Sequence, residues 1–247
     1  MKATTRWYSH RMECDTTLAR WGTYGTPVLM FPTAGGDAEE IERFLMIDAL
    51  GPLLEGGKIK IYSCDSTAGA AWLSGDHSPE YCSRLQNCFD AYIAREVVPA
   101  IRADCNSADV GVVTTGASIG AFNALSVTCR HPDLFTHAVC VSGTYDLSRW
   151  LDGQFNSDFY FCSPLHFLPD LGGGEQLDRL RERFIILATG EGRWEDPGES
   201  WRIAGVLGAK GIPNRVDPWG PEYDHDWVTW RKMIPHYLEQ LTSDDGS

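Results

Sequence analysis

The stretch that most constrains this chain runs from Asp109 to Cys129. DVGVVTTG (109–116) is rich in β-branched and apolar residues, as a strand buried on both faces must be. Residues 121–129 read as a helix, stopped by His131-Pro132 because the residue before a proline resists helical geometry. Only Ala117, Ser118, Ile119 and Gly120 remain to turn one into the other. So abrupt a corner strains the backbone at its apex. Gly116 and Gly120 lack the side chains that would hold strand and helix apart. A unit of this kind belongs in a parallel sheet covered by helices.

The rest of the chain keeps that alternation. PVLMFP (27–32) and KIKIYSCD (58–65) read as short buried strands. Further strands are expected at 136–142, 183–189 and 214–217. Apolar residues at 41, 44, 45 and 47 predict one helix over 41–50, and a second follows from Leu85 to Ile101. Ile203 to Leu207 sits in a helix ended by Gly211, and the last helix carries Trp227, Trp230, Ile234, Tyr237, Leu238 and Leu241 on one face. The early region, 5–12 and 19–24, is hairpin-like and suits antiparallel edge strands. No strand is evident between Ser142 and Arg183. The fold expected is α/β, a mostly parallel sheet with helices on both faces, in one domain over 1–247 with a short cap at 143–182. Thr242 to Ser247 reads as a frayed end.

Composition narrows the function. Lys plus Arg is 21 and Asp plus Glu is 34, a net charge of −13. Such a chain repels phosphate backbones and anionic lipid, which argues against nucleic-acid and membrane partners. No run approaches a membrane span and the start lacks an apolar leader, so the expected location is the cytoplasm. The eight cysteines include no C-x-x-C pair and read as reduced core thiols. A metal site on Asp224-His225-Asp226 is disfavoured, because neighbouring side chains diverge and no second histidine is close by in sequence.

Gly116-Ala117-Ser118-Ile119-Gly120 matches the G-x-S-x-G corner that presents a nucleophilic serine above a sheet edge. The helix amino terminus below it favours negative charge, and the Ile119 amide can face a developing oxyanion. Such a serine needs a base and an orienting acid, in the chain order serine, acid, histidine. Of seven histidines, only His225 and His236 fall late enough. His236 lies inside the last helix, whereas His225 precedes it in a loop that reaches back over the sheet. The acid is expected after the 183–189 strand, where Glu191, Glu195 and Asp196 are indistinguishable on chemistry alone. A second oxyanion donor is expected from the backbone amides of the loop 32–37, with Thr33 the best single choice. Trp72, Trp194 and Trp219 are candidate substrate contacts from loops around the sheet edge.

These residues together resemble the putative-esterase family of α/β hydrolases, whose branches include esterase D (S-formylglutathione hydrolase) and the mycobacterial mycolyltransferases. The resemblance covers most of the chain. It rests on Phe31-Pro32-Thr33 with its Ala-Gly-Gly loop, on the Gly-Ala-Ser-Ile-Gly corner, on Gly-Glu-Gly-Arg-Trp-Glu-Asp, and on the late His-Asp-Trp followed by Trp-Arg. It implies an α/β-hydrolase fold and a serine esterase with Ser118 as nucleophile and His225 as base. It places the acid at Glu195, with Asp196 the alternative, since esterase D carries aspartate there. It makes Thr33 and Ile119 the oxyanion donors, with no cofactor. The cysteine-containing loop of the formylglutathione branch is replaced by Thr-Ala-Gly-Gly-Asp, so that substrate is not implied. A mycolyltransferase role is disfavoured by the missing leader. The expected substrate is a small-molecule ester, and the expected state a monomer or simple homo-oligomer. An acyltransferase with the same residues, or a non-catalytic binding protein of this fold, are the alternatives.

Overall fold

The structure, a computed structural model, describes residues 1–244. Helix continues through Thr242 to Asp244; Asp245, Gly246 and Ser247, the remainder of the expected frayed end, lie outside the described residues. Eight strands form one sheet: β1 (Lys2–Ser9), β2 (Cys14–Trp21), β3 (Thr26–Phe31), β4 (Ile59–Cys64), β5 (Val112–Ala117), β6 (Phe135–Val141), β7 (Phe184–Thr189) and β8 (Asn214–Pro218). Their order is β1-β2-β4-β3-β5-β6-β7-β8. β1 and β2 pair antiparallel, as do β2 and β4, which bears out the edge hairpin. Every other neighbouring pair is parallel.

Alternation along the strands builds the two faces. Val28 and Met30 of β3 join one core cluster with Ile61, Val113 and Val139. Leu29 and Phe31 point the other way, into a cluster with Tyr62, Phe89 and Leu125. The chain leaves β3 toward β4 on one side and later returns to place β5 on the other. That reversal opens a crevice beyond the carboxyl ends of β3 and β5, the general location of ligand sites in such sheets.

Two helix expectations need correction. The single helix over 41–50 is instead three short ones, Glu40–Arg43, Met46–Ala49 and Gly51–Glu55. Leu45 takes a left-handed conformation at φ 61°, and the Phe44 carbonyl is taken by Arg231 Nη1 at 2.8 Å rather than by the helix ladder. The helix through Leu85 and Ile101 starts earlier, at Pro79, and widens over Ile93–Val97 before continuing as Val98–Asp104. Pro99 has no N–H to give the preceding turn, which accounts for the loosening there.

Residues 143–182 carry no strand; they form a short turn of helix at Ser148–Trp150 and the helices Ser157–Cys162, Pro164–Asp170 and Glu175–Leu180. Leu147, Leu151, Phe159 and Cys162 from this segment pack with Trp72, Ile119 and Phe122 in a third cluster. Ser126 Oγ donates to the Cys162 carbonyl at 2.8 Å, fastening the segment to the helix Ile119–Arg130.

All eight cysteines are unbridged. Burial pushes the thiols of Cys64, Cys129 and Cys140 well above the usual range and that of Cys162 up to about 12, so these sulfurs are poor nucleophiles. Among the described residues no helix is long and apolar enough to cross a membrane, and none form a metal-binding cluster of three His, Cys, Asp or Glu side chains.

Candidate active site

Ser118 stands at the corner between β5 and the helix Ile119–Arg130, with φ 58° and ψ −123°. A non-glycine residue there is strained and persists only where its surroundings over-determine it. Here they do. Ser118 N donates to the Val141 carbonyl at 3.1 Å, and its own carbonyl accepts from Ala121 N at 3.1 Å and Thr144 N at 3.3 Å. The flanking glycines are steric necessities. A Cβ on Gly116 would lie 2.4 Å from the Gly120 carbonyl carbon, and one on Gly120 would lie 2.6 Å from both the Phe31 and Pro32 oxygens. The Ser118 side chain does not cap its own helix, so the commonest structural use of a serine at this position is not its role. Its hydroxyl has no hydrogen-bond partner among the described residues, and Ile119 N is one of the unpaired amides of the first turn.

The second half of the site is made by two loops, one after β7 and one after β8. They are laced together by Gly192 N to the Tyr223 carbonyl at 3.0 Å, His225 N to the Arg193 carbonyl at 2.9 Å, and Arg193 N to Asp224 Oδ1 at 2.6 Å. No side chain fits at Gly190, where a Cβ would meet the Tyr223 oxygen at 2.0 Å. The lacing brings His225 Nδ1 to 3.6 Å from Glu195 Oε1. The Glu195 side chain is 1% exposed and accepts from Ser142 Oγ at 2.5 Å and Thr189 Oγ1 at 3.2 Å. The His225 ring rests edge-on against Trp230, 5.1 Å between centroids.

The other candidates are occupied elsewhere. Asp196 Oδ1 caps the helix Pro197–Ala209 by accepting from Gly198 N at 3.0 Å, and Glu191 is exposed. His236 bonds Gln240 at 2.9 Å on the last helix. Asp226 accepts from Thr229 N at 3.0 Å as that helix begins, and Asp224 pairs with Arg193 at 3.3 Å. In the loop after β3, Thr33 N donates to Glu40 Oε2 at 2.7 Å and Thr33 Oγ1 to Glu40 Oε1 at 2.6 Å. The amide expected to face an oxyanion is therefore engaged by a carboxylate.

A strained serine at the carboxyl end of a central strand, with a buried carboxylate beside a histidine in the loops that follow the later strands, supplies the parts a serine hydrolase needs. Comparison with protein families agrees: the family described as Putative esterase matches residues 56–245. The chain belongs to this family. It is an esterase, a carboxylic ester hydrolase. Among solved structures it is similar to a ferulic acid esterase at 13% identity, with 98% of each chain covered and a TM-score of 0.74. It is similar to an S-formylglutathione hydrolase from Agrobacterium tumefaciens at 12% identity, covering 98% of this chain and 95% of that one, TM-score 0.73. It is also similar to Mycobacterium tuberculosis MPT51 at 16% identity, covering 98% and 99%, TM-score 0.69. At these identities the likeness is one of fold, the α/β-hydrolase architecture. A search of curated proteins finds no match.

Two of the esterase's three tryptophan candidates have their indole N–H committed inside the fold. Trp72 lies in the helix Thr67–Ser74 and not in a loop. It is 3% exposed, and its Nε1 donates to Gln86 Oε1 at 3.3 Å. Trp219 is committed to the last helix, its Nε1 donating to the Tyr237 hydroxyl at 2.7 Å. Trp194 is the exception. It sits next to Glu195, is 87% exposed and has φ 68°. Sequence reasoning missed Ser142, Thr189 and Glu40. Ser142 follows the end of β6 with φ 47°, and no motif marks a lone serine or threonine as the holder of a distant carboxylate.

Proposed function

We propose that this esterase cleaves small carboxylic esters through an acyl-enzyme on Ser118, with His225 as general base and Glu195 as orienting acid. The observation that carries this reading is the strained Ser118 corner, whose hydroxyl is left unused by its own helix, on the sheet edge that also holds the buried Glu195 beside His225. His225 takes the Ser118 proton as the hydroxyl attacks the acyl carbonyl. The tetrahedral oxyanion is met by Ile119 N and an amide of the loop after β3. The proton passes to the departing alcohol, and water then repeats the sequence to free the acid.

Glu195 favours the tautomer with hydrogen on Nδ1 and stabilises the imidazolium without taking the proton. Their separation of 3.6 Å is longer than a hydrogen bond, and catalytic contacts of this kind tighten when substrate is bound. Ser142 and Thr189 donate to the Glu195 carboxylate and so keep it oriented. No cofactor takes part in these steps. In this reading the chain works as one domain, with 143–182 as a cap packed against the helix behind Ser118. Trp194, exposed next to Glu195, is the tryptophan that touches substrate in this reading. The test is hydrolysis of p-nitrophenyl acetate by wild type and Ser118→Ala. Turnover should fall at least about 10⁴-fold with unchanged melting temperature; near-wild-type turnover would refute the assignment.

A further inference from the structure

We propose that Glu40 is a positioning residue of the oxyanion hole: its carboxylate holds Thr33 by amide and hydroxyl, and thereby presents the Ala34 amide, rather than that of Thr33, to the oxyanion. This rests on the serine-hydrolase reading of Ser118 above.

Glu40 is 6% exposed, and no Lys or Arg lies within ion-pair distance of it among the described residues; the neighbouring Arg43 pairs with Asp37 at 2.9 Å. A buried carboxylate without a cation is costly unless its oxygens are hydrogen-bonded. What the carboxylate does here is accept both Thr33 donors, the amide at 2.7 Å and the hydroxyl at 2.6 Å. The space it fills is kept free by Gly36, where a Cβ would lie 2.4 Å from the Glu40 carboxyl carbon.

With Thr33 fixed, the loop closes as a turn in which Gly36 N donates to the Thr33 carbonyl at 3.1 Å. Ala34 and Gly35 are its two central residues, and the turn's own hydrogen bond uses the Gly36 amide and not theirs. Neither has a partner among the described residues. The far end of the loop is pinned by Ser66 N on the Gly36 carbonyl at 3.0 Å and by Ala38 N on Asp65 Oδ1 at 3.0 Å. Of the two free amides, that of Ala34 is beside the corner. The Ala34 oxygen and Ile119 Cγ2 both approach the same point above Gly69, at 3.1 and 3.4 Å from where its Cβ would stand, and Ala34 packs against the cluster that contains Ile119. Gly35 is exposed. The Ile119 and Ala34 amides are thus the pair the fold brings together, and Glu40 sets the angle of the second.

The test compares wild type, Glu40→Ala and Glu40→Gln. The readouts are kcat and KM for p-nitrophenyl acetate, per active site titrated with a fluorophosphonate, and inhibition by a trifluoromethyl ketone, which forms a tetrahedral oxyanion on the serine. Loss of one oxyanion donor costs about 10²–10³-fold in turnover, and a misaimed donor costs part of that. Glu40→Ala should lower kcat about 10–10²-fold with KM within about twofold, and weaken the ketone by the same factor as kcat/KM. Glu40→Gln keeps the shape and one acceptor, so it should fall between Glu40→Ala and wild type; it also carries the test if Glu40→Ala fails to fold. Wild-type kcat and ketone affinity in Glu40→Ala, or in Glu40→Gln where only that variant folds, would overturn the proposal. So would a loss confined to the number of titratable sites. Ser118→Ala run alongside separates the two readings. If it stays active, the nucleophile is wrong and this proposal falls with it. If it is inactive while the Glu40 variants are unimpaired, only the role of Glu40 fails.

Discussion

Two carboxylates at opposite parts of the molecule, Glu96 and Glu195, are handled in opposite ways. Glu96 anchors the antiparallel hairpin. It accepts from Trp7 Nε1 at 2.8 Å, Ser9 Oγ at 3.1 Å and Arg11 Nη1 at 2.8 Å. Burial pushes its pKa up, but these donors and the Arg11 charge outweigh that and hold it below the usual glutamate range. Glu195 is more deeply buried, accepts from two hydroxyls, and has His225 as its charge partner. A carboxylate that serves stability is given a permanent cation. One that serves the proposed chemistry is left facing a group whose charge changes during turnover. The backbone differs in the same direction. β1 and β2 pair regularly over all eight residues, whereas Ser118, Ser142 and Trp194 all carry positive φ around the site. The hairpin keeps such a residue only at its turn, Glu13 with φ 53°, outside the paired strands, whereas at the site the strained positions carry or adjoin the groups to be aimed.

The comparison breaks if the two carboxylates prove interchangeable. Glu195→Gln should lower kcat on p-nitrophenyl acetate about 10³–10⁴-fold, by losing the preference for the right imidazole tautomer, with little change in melting temperature. Ser142→Ala should lower kcat about tenfold, since the carboxylate keeps Thr189 but loses its shorter donor, and cost about 1 kcal/mol in urea unfolding. Glu96→Gln should leave kcat unchanged and cost about 1–2 kcal/mol of stability. Because the folded pKa of Glu96 is depressed, its contribution is present above the unfolded value near 4.3 and is lost as pH falls below it. Wild-type stability should therefore decline more steeply than that of Glu96→Gln between about pH 5 and pH 3. Parallel acid profiles would contradict the role given to Glu96.

What could be read from the sequence follows the range of the forces involved. The parallel sheet and the Ser118 corner were legible because strand, tight turn and helix succeed one another within about twenty residues. His225 was legible from its place after the last strand. Glu195 and Asp196 were not separable by chemistry, because both are acids in one loop; what distinguishes them is that Asp196 precedes Pro197 at a helix start while the lacing to the 219–226 loop turns Glu195 inward. Ser142 is 53 positions from the carboxylate it holds, and nothing local marks that approach. Thr33 reads as a free donor from the sequence because nothing local marks Glu40, seven positions on and just ahead of the helix expected over 41–50, as the partner of its amide and hydroxyl. Trp72, expected in a loop, lies in a helix whose apolar face is buried against Ile119 and Phe159, contacts distant in sequence that nothing local marks.

The most direct measurement of the central claim is intact-mass analysis after reaction with a fluorophosphonate, with peptide mapping, on wild type and Ser118→Ala. The account predicts one adduct per folded wild-type chain, located on the peptide containing Ser118, and none on Ser118→Ala. An adduct that persists in Ser118→Ala, or a folded wild-type chain that takes no label, would contradict it.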